Sequence, residues 1–173
     1  MKTLLKLLMT TAIVLGFGFA SLAQTQSASA TANTTATIVT PIAIAWVTDL
    51  EFGNVAVSAS NAGTVVMSTA SVRSVTGGCT LPATTGTTTA AQFTVTGASG
   101  YTYAITLPAS VLIDDNAGND MTVNTFTSDP TPTGTLTSGT QDLYVGATLN
   151  VTAGQAAGDY ESDTDFEVTV AYN

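Results

Sequence analysis

A chain of 173 residues with no histidine, and with 12 acidic residues against three basic ones, is restricted in its chemistry before any motif is read. Its formal net charge of −9 excludes nucleic acid and anionic lipid surfaces as partners, because both are gripped by cations that displace counterions. The missing imidazole excludes Ser-His and Cys-His nucleophile relays and histidine-ligated metal centres.

The chain opens Met1-Lys2-Thr3-Leu4-Leu5-Lys6 and continues as an apolar run from Leu7 to Leu15, broken at Thr10 and Thr11. Gly16 to Ala23 follow, ending in Ser21-Leu22-Ala23. A basic start, a short apolar middle and small residues before the cut predict a secretory leader over residues 1–23. The run is too short and glycine-rich to span a bilayer, and no cysteine follows the cut to take a lipid. The expected address is therefore periplasm, outer surface or extracellular medium. Lys2 and Lys6 leave with the leader, so Arg73 is the only cation of the mature chain. Ser-Lys dyads and Schiff bases go with them, and no G-x-x-x-x-G-K phosphate loop occurs. Arg73 is expected to cap carbonyls or form a structural ion pair. Cys79 is the single cysteine, so no internal disulfide exists, and it reads as a small buried hydrophobe after Gly77-Gly78.

Gln24 to Asn33 holds Ser, Ala, Thr and Gln but no large apolar side chain. Residues 24–35 are accordingly expected as a flexible arm. From Thr34 the pattern tightens. Ala36, Ile38, Thr40, Ile42, Ile44 and Trp46 alternate with Thr37, Val39, Pro41, Ala43, Ala45 and Val47, which predicts a strand covered on both faces. Pro41 cannot donate to a ladder and should fall at an edge, a bulge or a strand start. Asp49 to Val55 reads as a short strand closed by Gly53-Asn54. Further strands fit Thr64–Met67, Ser71–Val75, Gln92–Thr96, Tyr101–Leu107, Met121–Phe126 and Thr135–Leu136, with Gly-, Asn- and Pro-rich turns between them. The C-terminal end predicts a hairpin. Val145, Ala147, Leu149 and Val151 form the apolar parity of one arm, and Tyr160, Phe166, Val168, Val170 and Tyr172 that of the other. The expected fold is a single all-β domain over residues 36–173, an immunoglobulin-like or Greek-key β-sandwich of about eight to ten strands.

Two acidic groups raise the question of calcium, which takes oxygen ligands. Asp159, Glu161, Asp163, Asp165 and Glu167 would share the outer face of the last strand at about 7 Å spacing. That pattern reads as a solvated face, with Asp163 and Asp165 as the calcium candidates. Asp114, Asp115, Asn116 and Asp120 lie in Asp114-Asp115-Asn116-Ala117-Gly118-Asn119-Asp120, which lacks the register and the distal Glu of a calcium loop. Side chains of that kind more commonly bond their own backbone in a turn. No cofactor is expected and no catalytic residue is assigned. A carboxylate pair is the one catalytic device that composition leaves open.

Several motifs in order resemble a known family. These are Pro41-Ile42-Ala43-Ile44, Asp49-Leu50-Glu51-Phe52-Gly53, Arg73 before Gly77-Gly78, and Ala91 to Gly97. Met121-Thr122-Val123, Val145 to Leu149, Gly158-Asp159-Tyr160 and Val168 to Asn173 complete the set. The whole, from about Ala36 to Asn173, resembles the secreted bacterial domain catalogued as domain of unknown function 4402. That domain is distantly similar to spore-coat-U-type and chaperone–usher pilin subunits, sandwiches that lack one strand and receive it from a neighbour. The resemblance implies that Gln24–Thr40 is a donor strand and that the last strand, ending at Tyr172, is an assembly edge. Ile38, Ile42 and Ile44 on the donor side, and Phe166, Val168, Val170 and Tyr172 on the edge, would carry the contact. The expected role is a non-catalytic cell-surface or coat subunit, partnered by itself or a related subunit. The alternative is a monomeric binding module for glycan or calcium.

Overall fold

The computed structural model describes residues 26–173, so the expected leader lies outside the described residues. The chain divides into two units, Met1–Thr37 and Ile38–Asn173. In the first, residues 26–37 are exposed and carry neither helix nor strand. The second holds twelve strands: β1 (Ala43–Thr48), β2 (Ala56–Val57), β3 (Gly63–Met67), β4 (Arg73–Gly77), β5 (Cys79–Thr80) and β6 (Ala91–Thr96), then β7 (Thr102–Thr106), β8 (Ser110–Asp114), β9 (Asp120–Asp129), β10 (Thr133–Thr135), β11 (Thr140–Val151) and β12 (Thr169–Tyr172). The only helical piece among the described residues is a single 3-10 turn, Thr137–Gly139, so no described helix is long and apolar enough to cross a membrane.

The protein is an all-β sandwich. Its larger, seven-stranded sheet runs β1-β6-β11-β3-β4, with β9 on the other edge of β11 and β8 beyond β9. The smaller sheet is β10-β7-β12, and β2 pairs with β5 as a separate ribbon. The chain crosses between the two main sheets after β6, β7, β9, β10 and β11, giving Greek-key-like connections in which sequence neighbours are seldom sheet neighbours.

Strand β11 is the centre. Leu143 and Val145 are fully buried, and Ala147, Leu149 and Val151 are at most 5% exposed, so one parity faces the core along the whole strand. Each such apolar side chain contributes about 1.5–3 kcal/mol on burial. On one edge β11 pairs with β9. On the other it pairs with β6 through Val145 and then with β3 from Ala147 onward, so two strands meet end to end against it. Gly146 lies at that junction, where a Cβ would collide with the Met67 carbonyl oxygen. The two sheets are tied by Tyr103 of β7, fully buried, whose hydroxyl donates to Gln141 Oε1 of β11 at 3.0 Å.

Several expectations are corrected. The C-terminal hairpin does not form: β11 lies in the larger sheet, whereas β12 pairs with β7 in the smaller one. The second arm is also shorter, a strand only from Thr169, because β7 ends at Thr106 and Leu107-Pro108 leads the chain away. The first strand begins at Ala43, with Pro41 just ahead of it as its missing N–H requires. It is not covered on both faces. As a sheet edge it pairs only with β6, and Trp46 and Val47 are 62% and 42% exposed. Asp49–Val55 is held by one bridge, Glu51 to Thr89, rather than as a strand. β8 was not anticipated, since Val111-Leu112-Ile113 shows no alternation, and twelve strands exceed the expected eight to ten.

Gly146→Ala is expected to cost about 2 kcal/mol, because the new methyl meets backbone that cannot move aside. Leu112→Ala, at a side chain 58% exposed, should stay within about 0.5 kcal/mol of the parent. Urea unfolding midpoints of the two variants check the contrast.

Candidate functional site

The most distinctive surface feature is an open cleft of about 1320 Å³ over the inner face of the larger sheet. Its floor is apolar, formed by Phe93, Val111, Ile113, Met121, Val123, Phe126, Leu149 and Val151. One wall is the segment Asp49–Val57 and the other is Gln155–Ser162 with Asp165 and Phe166. The smaller sheet stops short of this region, so the floor is covered only by these two irregular segments.

The first wall is fastened from outside. Glu51 exchanges two backbone hydrogen bonds with Thr89, and Asn54 N–H donates to Thr85 O. Arg73 Nη1 donates to the carbonyls of Phe52 at 2.6 Å and Asn54 at 3.0 Å. The sole expected cation of the mature chain thus caps carbonyls, which fixes the wall without a carboxylate partner.

The second wall is fastened at its start. Gln155 Nε2 donates to Asp120 O and to the Tyr160 hydroxyl, which itself donates to Ala156 O. Asp114 and Glu161 exchange backbone hydrogen bonds of 2.8 and 3.0 Å. From Ser162 to Val168 the backbone then makes no hydrogen bond to backbone among the described residues. Its side chains still alternate inward and outward at the far end. Phe166 packs edge-on to Phe93 at 6.2 Å and tilted on Phe126 at 5.2 Å, and Val168 is 7% exposed. Asp163 and Glu167 are exposed to solvent, and Asp165, also exposed, borders the cleft. The regular 7 Å row expected for the acids does not exist, because the segment carrying them is not a strand.

The remaining assembly candidates fall in different places. Val170 and Tyr172 lie on β12 and pack against the core, as do Ile42, just ahead of β1, and Ile44 within it. The Tyr172 hydroxyl donates to Thr40 O at 2.8 Å and accepts from Ala98 N–H at 2.6 Å. The aromatic at the C-terminal strand is therefore spent on closing the β1 side of the sandwich. Ile38, by contrast, is 97% exposed. Sequence reasoning missed Trp46 at the mouth of the cleft. Its ring is 62% exposed, and its indole N–H is held by Asp49 Oδ1 at 2.9 Å.

Asp114, Asp115, Asn116 and Asp120 form the turn between β8 and β9, as the residue types suggested. Asp114 Oδ1 accepts from Asn116 N–H, and Asp115 Oδ1 accepts from the N–H groups of Ala117 and Asn119. Asn119 Nδ2 donates to Asp115 Oδ2 at 2.6 Å, and this bond, with those from the backbone, holds the Asp115 carboxyl below its ordinary range. No group of three acidic or thiol side chains among the described residues is placed to share a metal ion. Cys79 is buried against the second core cluster, and burial raises its thiol above the ordinary value.

Residues 42–172 match the family described as Domain of unknown function (DUF4402). The chain belongs to this family. No curated protein and no solved structure matches it. The DUF4402 match begins at Ile42, so the arm lies ahead of the family domain. Both walls and the floor of the cleft lie within the match.

The lowered Asp115 carboxyl sets the sign of a pH effect. Its contribution to stability is fully present above the ordinary carboxylate range and is lost as pH falls through the folded-state value. The stability difference between the parent and Asp115→Asn should therefore shrink as pH falls below about 4. Urea midpoints at a series of pH values test this, and a difference that grew with acidity would contradict the assignment.

Proposed function

We propose that the protein is a secreted, non-catalytic structural subunit of the bacterial cell surface, pilin- or coat-like, which assembles by adding a strand from a further copy or a related subunit. One observation carries the reading. The sandwich is left open over an apolar floor, beside a stretch of chain whose backbone donors and acceptors have no backbone partner. Backbone groups outside any ladder are free to take a new strand, and strand addition would pair them while covering the floor. A head-to-tail contact between the arm of one copy and the cleft of another is heterologous and so propagates into open filaments. Composition supports the absence of catalysis, with no histidine and no lysine beyond the expected leader. The distant likeness to spore-coat-U-type and pilin subunits agrees with this role, and the expected leader gives the route out of the cell.

A second reading has its own observation. The exposed face of Trp46 at the cleft mouth, beside Asp49 and Glu51, is an arrangement suited to stacking and hydrogen bonding a sugar ring. A monomeric glycan-binding module would use it.

Light scattering separates the two. The mature protein, residues 24–173, should form ladders or fibres in chelator as concentration rises, whereas a version beginning at Ala36 should remain monomeric. Equally monomeric behaviour of both would defeat the assembly reading and turn attention to oligosaccharide titration with Trp46→Ala as control.

A further inference from the structure

We infer that the cleft is the acceptor for residues 28–38 of a second copy of this chain, laid as a strand along Ser162–Val168 with the even-numbered side chains facing the floor. The inference rests on the assembly reading above and specifies its two partners.

The acceptor side is defined by what it lacks. Ser162–Val168 continues directly into β12 and keeps the inward parity of Phe166 and Val168, yet β7 is too short to pair with it. Its backbone can take a new neighbour without breaking any ladder already made.

The donor side follows from pattern and charge. Between residues 28 and 38 the sequence alternates, with Thr34 as the one polar break on the apolar parity. Ala28, Ala30, Ala32, Ala36 and Ile38 share one parity, and Ser29, Thr31, Asn33, Thr35 and Thr37 share the other. That is the period-two pattern of a half-buried strand, but the stretch forms none and stays exposed through Ile38. Ser162–Val168 requires about 23 Å of strand and residues 28–38 supply about 36 Å when extended. Charge and the lack of an existing partner together select this segment. Asp49, Glu51, Asp159, Glu161 and Asp165 line the cleft, and an acidic strand entering there would be repelled. No charged residue occurs from Gln24 to Thr48, and the other alternating runs of the chain are already paired within the sheets. The small alanines suit a cleft already narrowed by Phe93, Phe126 and Phe166.

The test uses the secreted full chain in two single-cysteine forms. One carries Cys79→Ala with Ala32→Cys, and repeats with Ala30→Cys and Ala36→Cys scan the register. The other carries Cys79→Ala with Thr164→Cys. Mixing them under mild oxidation should give disulfide-linked dimers at about tenfold the yield of either form alone. A second pair of variants leaves the folded domain untouched. Ala30→Glu with Ala32→Glu should raise the concentration needed for assembly at least about tenfold, since it drives carboxylates onto an apolar floor. Ser29→Glu with Thr31→Glu, on the outward parity, should have a clearly smaller effect. Assembly by light scattering without the mixed dimer, or with equal effects of the two glutamate pairs, overturns the assignment and leaves the assembly reading standing. A chain that stays monomeric at every concentration, including one whose arm links to its own cleft, overturns both.

Discussion

The structure turns on a mismatch of area between two sheets. A seven-stranded sheet presents an apolar inner face, and a three-stranded sheet covers only part of it. Where the smaller sheet lies, packing is complete: Tyr103, Leu136, Leu143, Val145 and Val95 have no exposed surface. Where it stops, Ile113, Met121 and Phe126 remain partly exposed and the cleft begins. β11 spans both regions, which is why one strand supplies Leu143 and Val145 to the first cluster and Ala147, Leu149 and Val151 to the second. Its apolar face must be covered from end to end, and the irregular walls are what the chain has left to do it with.

Charge scarcity shapes how those walls are held. A conventional surface would distribute ion pairs; here a single cation beyond the expected leader faces 12 acids. Arg73 is placed where one guanidinium does the most, donating to two carbonyls of a wall that has no ladder of its own. Elsewhere the same work is done by neutral groups. Gln141 Oε1 accepts from both the Tyr103 hydroxyl and Thr135 N–H, and Gln155 joins β9 to Tyr160. Neutral amide and hydroxyl bonds of this kind contribute about 1 kcal/mol each and are insensitive to salt. These bonds hold the walls without drawing on the surface carboxylates, whose mutual repulsion acts between copies in solution.

Much of this was legible from period and turn chemistry. The strand class, most strand positions, the Asp114–Asp120 turn, the buried Cys79 and the carbonyl-capping Arg73 all follow from local rules, because each depends on residues near in sequence or on a scarcity visible in composition. The failures share one physical cause. Alternation reports which side chains face a core, not whether a neighbouring strand exists. Residues 160–172 keep the predicted inward parity except at Thr164, but beyond the Glu161 bridge only Thr169–Tyr172 pair in a ladder. β1 reads as doubly buried because Trp46 and Val47 are apolar, yet its place at a sheet edge exposes both. The cleft was beyond sequence reasoning altogether, for it is created by where the smaller sheet ends.

That same separation of parity from pairing gives the acidic run a purpose on the assembly reading. An unpaired stretch beside an apolar floor invites any extended peptide, including the edges of misfolded neighbours. Exposed carboxylates at Asp163, Asp165 and Glu167 place charge along the free stretch, while Phe166 and Val168 anchor it to the core. Two acidic faces brought together repel, and the cleft is bordered by carboxylates on both walls. A segment can approach only if it is uncharged, and the stretch from Gln24 to Thr48 is uncharged throughout. On that reading repulsion does the selecting and the apolar floor the binding.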